Sequence, residues 1–176
     1  MFWTLVLKTA AVHTVTYFVI GFVAYRLFKY RSTVMTDSTY NMRQETHPLV
    51  IGGVLFQPIR GFLFGIVFYL LKDSLFMQTN GWLVMWVMLV VVGIISTFAP
   101  APSSIEGFIY TKTTFGRSWF GLLEILAQSL LFSFITFYWV NHPDYIWLNW
   151  LLYIVFIISI ILPSLGLLAN KIRTTG

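Results

Sequence analysis

The chain contains no cysteine. Disulfides, thiolate-held zinc and iron–sulfur clusters are therefore excluded. Charge is almost as scarce. Asp, Glu, Lys and Arg make up 10% of the residues, against about 25% in soluble domains. With 58% hydrophobic residues, the chain has too few charges to cover a water-facing surface, so lipid must be its main solvent. Acidic residues are the scarcer sign, 6 against 11 basic, for a formal net charge of +5. The basic residues sit beside apolar runs, which is the pattern of membrane orientation and anionic headgroups. That placement argues against a nucleic-acid partner. Catalytic motifs are missing too: there is no H-E-x-x-H, no P-loop, no G-x-G-x-x-G and no nucleophile elbow. The three histidines lie at three different depths and offer no bis-His haem pair. No cofactor and no metal site are expected.

What is present is a series of long apolar runs, each of a length that reads as a transmembrane helix. The sequence predicts an all-α integral membrane protein, with residues 1–176 forming a single domain of about five spans: 3–28, 48–71, 82–98, 118–140 and 145–168. A polar loop, 29–47, separates the first two and has room for a short surface helix. Pro48 opens the second span at a position where its missing N–H costs nothing. Within that span Pro58 predicts a kink or break, because it cannot donate to the carbonyl of Val54. Gly61 and Gly65 have the small-xxx-small spacing that lets helices pack closely. After Pro102, Ser103-Ser104-Ile105-Glu106 has capping-box spacing and predicts a short interfacial helix. Pro163 is expected to kink or end the fifth span. Trp3, Trp82, Trp119, Trp139 and Trp147 fall near span ends, as an aromatic belt requires.

Basic residues set the orientation. With the N-terminus outside, Arg26, Lys29, Arg31, Arg43, Lys112, Arg117, Lys171 and Arg173 fall on the cytoplasmic side and Lys8 and Lys72 outside. This predicts N-out, C-in, in a cell (inner or plasma) membrane.

Arg60 is the one basic residue left in the middle of a span. An arginine there costs from about 2.5 to more than 10 kcal/mol, depending on the scale, and normally faces the bundle interior with a partner. Counting about 1.5 Å per residue, Arg60 and His13 both lie roughly 18 Å from the cytoplasmic edge, with Gln57, Gln128 and Glu124 at roughly 13, 15 and 9 Å. These depths predict one polar cluster, His13, Gln57, Arg60, Glu124 and Gln128, with Arg60 paired to Glu124. Two readings stay open. The cluster is a site for a small anionic or amphipathic ligand or for protons, in a carrier or binding protein of the lipid bilayer. Alternatively it is a structural staple in a non-catalytic subunit that packs on a membrane-protein partner, or on a second copy, through Gly61 and Gly65. A membrane-embedded enzyme is third, because His13 and Glu124 are its only acid–base groups.

Overall fold

A computed structural model describes residues 1–29, 43–98, 101, 103–111 and 119–175. The expected loop helix, Pro100, Pro102, Lys112 and Arg117 lie outside the described residues. Among the described residues every regular element is helical: α1 (Phe2–Leu27), α2 (Pro48–Ile51), a 3-10 turn (Gly53–Phe56), α3 (Gln57–Leu70), α4 (Lys72–Phe76), α5 (Gly81–Val90) continued by a π segment (Val91–Ile95), α6 (Ile105–Tyr110), α7 (Trp119–Asn141) and α8 (Ile146–Thr175). Four segments are long and apolar enough to cross a membrane: α1, the 3-10 turn with α3, α7 and α8.

Helix α1 is the central post. Its buried threonines lose no hydrogen bonds in an apolar medium, because Thr9, Thr14 and Thr16 donate to the carbonyls of Leu5, Ala10 and Val12 one turn back. Helices α3, α7 and α8 all pack on it. Phe2 meets Tyr69 at one end and Gly61 meets Ala10 near the middle, so α3 runs antiparallel to α1. Lys8 donates to the Trp139 carbonyl (3.0 Å) and Gly21 faces Glu124, so α7 is antiparallel as well. Trp82 packs on Phe134, and Gly93 shares a cavity with Gln128, which sets α5 against α7. Helix α8 returns alongside α1, and Asn170 near its end donates to the Thr46 carbonyl (3.2 Å). The order is an up-and-down bundle. On α3, Gln57, Gly61, Gly65 and Phe68 face inward, while Ile59, Leu63, Val67 and Leu70 form an exposed apolar stripe. That stripe is where lipid belongs.

The second span is broken, though not by the route Pro58 suggested. The irregular turn lies before Pro58, at Gly53–Phe56, and Pro58 occupies the first turn of α3, where proline is tolerated. The Val54 carbonyl is not left free, because the Gln57 N–H donates to it. The Gly53 carbonyl accepts from the Gln57 side chain (3.2 Å), and Leu55 N–H donates to Gly52 (2.9 Å). Helix α8 covers the break: a Cβ on Gly52 would lie 3.1 Å from Leu167. Irregular backbone at membrane depth survives when it is satisfied and shielded in this way. Pro58→Ala should therefore leave the break in place and change stability by less than about 1 kcal/mol. Gln57→Leu, which strips two partners, should cost about 1–3 kcal/mol. Unfolding of both variants in detergent checks this; a larger loss for Pro58→Ala would return the break to proline.

Other expectations are corrected. The third span ends at Ile95 rather than Phe98 and, at about 22 Å, is shorter than the bilayer core. Its last turn is a π segment closed by the Ser96 N–H donating to the Val91 carbonyl (2.8 Å). Of the two outcomes expected at Pro163, an end is ruled out, because helix α8 runs through Pro163 to Thr175. Trp139 is not a belt residue. It is fully buried, its indole N–H donates to Asn149, and Lys8 lies 4.8 Å above its ring. The interfacial helix forms at Ile105–Tyr110, with Ser104 rather than Ser103 accepting from the Gly107 N–H (2.9 Å).

Candidate functional site

Gln57 sits at the start of α3, where the helix resumes after the break, and its side chain points at α1. Its amide donates to the Gly53 carbonyl, which can only accept. The amide oxygen is thereby turned toward His13, whose Nε2 lies 3.2 Å away. A carbonyl oxygen accepts, so Nε2 carries the hydrogen and Nδ1 is left with a lone pair in the neutral ring. Nδ1 has no partner among the described residues, although His13 is only 3% exposed. Phe64 and Phe132 flank the ring, each with its centroid 5.1 Å away.

One turn along α3, Arg60 lies on the flank between the buried face and the lipid stripe. It is exposed. Among the described residues it makes no hydrogen bond and no ion pair, so the expected Arg60–Glu124 bridge is absent. Arg60 instead lines a cavity of about 110 Å³ with His13, Gln128, Ser129, Gly93 and Phe132. Gly93 belongs to the π segment, and a Cβ there would meet nothing within 4 Å.

Glu124 belongs to a second, larger cavity of about 590 Å³, lined with it by Tyr17, Phe18, Gly21, Tyr25 and Glu45. Tyr25 donates to Glu45 there. The two cavities are stacked. Tyr17 lies one turn beyond His13 on α1, Gly53 one turn before Gln57, and Glu124 one turn before Gln128 on α7, each toward the same end of the bundle. The predicted cluster is thus divided: His13 with Arg60 and Gln128 around the inner cavity, Gln57 behind His13, and Glu124 in the outer one. Sequence reading passed over Tyr17 and Gly93. Tyr17 carried a usable signal, since it lies four residues from His13 on a helical face. Gly93 carried none beyond being a glycine in an apolar helix.

Gly61 and Gly65 are spent inside the chain. A Cβ on Gly61 would lie 2.6 Å from Ala10 Cα, and one on Gly65 2.8 Å from Val6 Cα. The glycine face is therefore covered by α1 and is not a surface on which a partner can dock.

Fold and site together define an all-α polytopic membrane protein with polar cavities inside its bundle. No protein-family model, curated protein or solved structure matches the chain.

Proposed function

We propose that this chain is a membrane binding protein or carrier for a small anionic or amphipathic ligand, held at Arg60. The observation that carries this reading is Arg60 itself. It lies about 18 Å from Pro48 and about 15 Å from Leu70, near the middle of its span. It has no counter-charge among the described residues, yet it opens on a cavity that also offers Gln128 and His13. An uncompensated guanidinium at that depth is costly and calls for an anion. Formate, acetate and inorganic phosphate, added to the purified full chain, should raise its unfolding temperature, whereas chloride at equal ionic strength should not. No stabilisation by any oxyanion would remove the reading.

A structural staple is the second reading, supported by the His13–Gln57–Gly53 chain that closes the helix break. It accounts for His13 and Gln57 but leaves Arg60 without a role. An enzyme ranks lower, because His13 and Glu124 line different cavities.

We place the chain in a cell membrane with its N-terminus outside. Arg26, Lys29, Arg43 and Lys171 gather at one end of the bundle and Lys8 and Lys72 at the other. Lys8 is moreover held by Trp139, and Lys72 by Asp73 at 2.9 Å. A cysteine at Thr79 should react with an impermeant reagent in intact cells, and one at Thr46 should react only after permeabilisation. The opposite pattern would invert the orientation.

A further inference from the structure

We infer that the inner cavity takes a small oxyacid anion together with one proton, and that the proton comes to lie between the anion and Nδ1 of His13. This rests on the reading of Arg60 as an anion site and adds the ligand's class and its coupling. Volume comes first. The cavity of about 110 Å³ has room for about three to four waters. That suits a formate-, acetate- or phosphate-sized ion and excludes a long amphiphile from the inner chamber. Depth comes second. A lipid headgroup at either edge would have to reach roughly 15 Å inward to meet Arg60, so a free ion is the better occupant.

Hydrogen-bond polarity supplies the proton. Gly53 fixes the Gln57 amide, Gln57 fixes Nε2–H of His13, and Nδ1 is left as a buried, unpartnered acceptor on a ring that lines the same cavity as Arg60. An oxyanion seated on the guanidinium is also an acceptor. Two acceptors brought together in a cavity of this size repel unless a proton lies between them. The site with its unshared lone pair, the anion and one proton combine into a neutral-ligand complex in which Nδ1–H···O or Nδ1···H–O is made. No covalent bond forms or breaks in the ligand. The guanidinium opposes a second positive charge beside it, and the anion cancels that opposition, so each of the two guests favours the other. Among the described residues, the charged and titratable groups around His13 are Arg60 on α3, Glu124 on α7 one turn from Gln128, and Tyr17 and Lys8 on α1. Tyr153 on α8 lies across Ala10 and Ala11. The α5 and π segments contribute only Leu89, Gly93 and Ile94 to this cavity.

Calorimetric titration of the full chain in nanodiscs with formate, acetate or phosphate, repeated in buffers of different ionisation enthalpy, counts protons taken up per anion bound. The expected count with formate or acetate is about one between about pH 7 and 8, where an unperturbed histidine is mostly neutral. It should be the same in discs of neutral lipid and of anionic lipid, which separates a free ion from a headgroup. His13→Gln should still bind the anion, since glutamine offers its own donor, but with a proton count near zero. Gly93→Leu, which adds bulk at a cavity-lining position where a Cβ meets nothing within 4 Å, should lose both. Anion binding with no proton uptake would overturn the coupling and leave the Arg60 site standing. A count of one that persists in His13→Gln would overturn the role of His13. Absence of anion binding to the unaltered chain would remove the coupling and the Arg60 reading together.

Discussion

Gly61→Leu is expected to cost the bundle about 3 kcal/mol or more, at or above the top of the usual range for overpacking. The obstacle is backbone. A Cβ at position 61 would stand 2.6 Å from Ala10 Cα and 3.0 Å from the Ala10 carbonyl oxygen, with His13 Cβ at 2.9 Å. No rotamer change relieves that contact, so α1 and α3 must separate. Separation also pulls Gln57 from His13, which sits on the same pair of faces. Gly65→Leu should behave alike, because its obstacle is Val6 Cα at 2.8 Å. Gly93→Ala is the control: its Cβ meets nothing within 4 Å, and alanine is the better helix former by about 1 kcal/mol. Unfolding in a detergent of fixed composition measures all three. A Gly61→Leu protein as stable as the parent would mean that α1 and α3 do not cross where the structure has them.

The second large effect is expected at Arg60. A hydrogen bond to a charged group contributes about 1.5–3 kcal/mol, so Arg60→Gln should weaken oxyanion binding roughly 10- to 100-fold. Arg60→Lys should fall between, since an ammonium keeps the charge but loses the fork that grips two oxygens together. Stability without ligand should move the other way. Arg60 has no partner to lose among the described residues, and removing an uncompensated charge from mid-span relieves a cost. Arg60→Gln is therefore expected to be as stable as the parent or more so. A staple predicts the reverse, because breaking a buried ion pair costs about 3–5 kcal/mol. Arg60→Ala and Glu124→Ala should likewise act independently, each residue lining its own cavity. Strong coupling in that double mutant, with destabilisation by Arg60→Gln, would restore the pair that the sequence suggested.

Several features could be read from the sequence because they depend on composition and on neighbours along the chain. Scarce charge and long apolar runs fixed the membrane class and the approximate ends of α1, α7 and the second span, since a helix is the cheapest way to satisfy backbone in lipid. The short helix starting near Ile105, and the close-packing spacing of Gly61 with Gly65, are patterns carried by a few neighbouring residues, although the cap falls on Ser104 and not on Ser103. Similar depth along a rise of about 1.5 Å per residue grouped His13, Gln57, Arg60, Glu124 and Gln128, and three of the five, His13, Arg60 and Gln128, share one cavity.

Other features were decided only when helices met. Depth does not specify azimuth. Arg60 turns to the flank of α3 and Glu124 to the outer chamber, so opposite charges at similar height do not pair. Pro58 looked like the cause of the break, but the turn is held by Gln57 reaching back to Gly53 and by Leu167 of a helix more than a hundred residues later. Trp139 resembled a belt residue by its position near a span end and is fully buried because α1 and α8 close over it with Lys8 and Asn149. Apolar periodicity could not expose this, since in a membrane both faces of a helix are apolar and only packing tells lipid from neighbour.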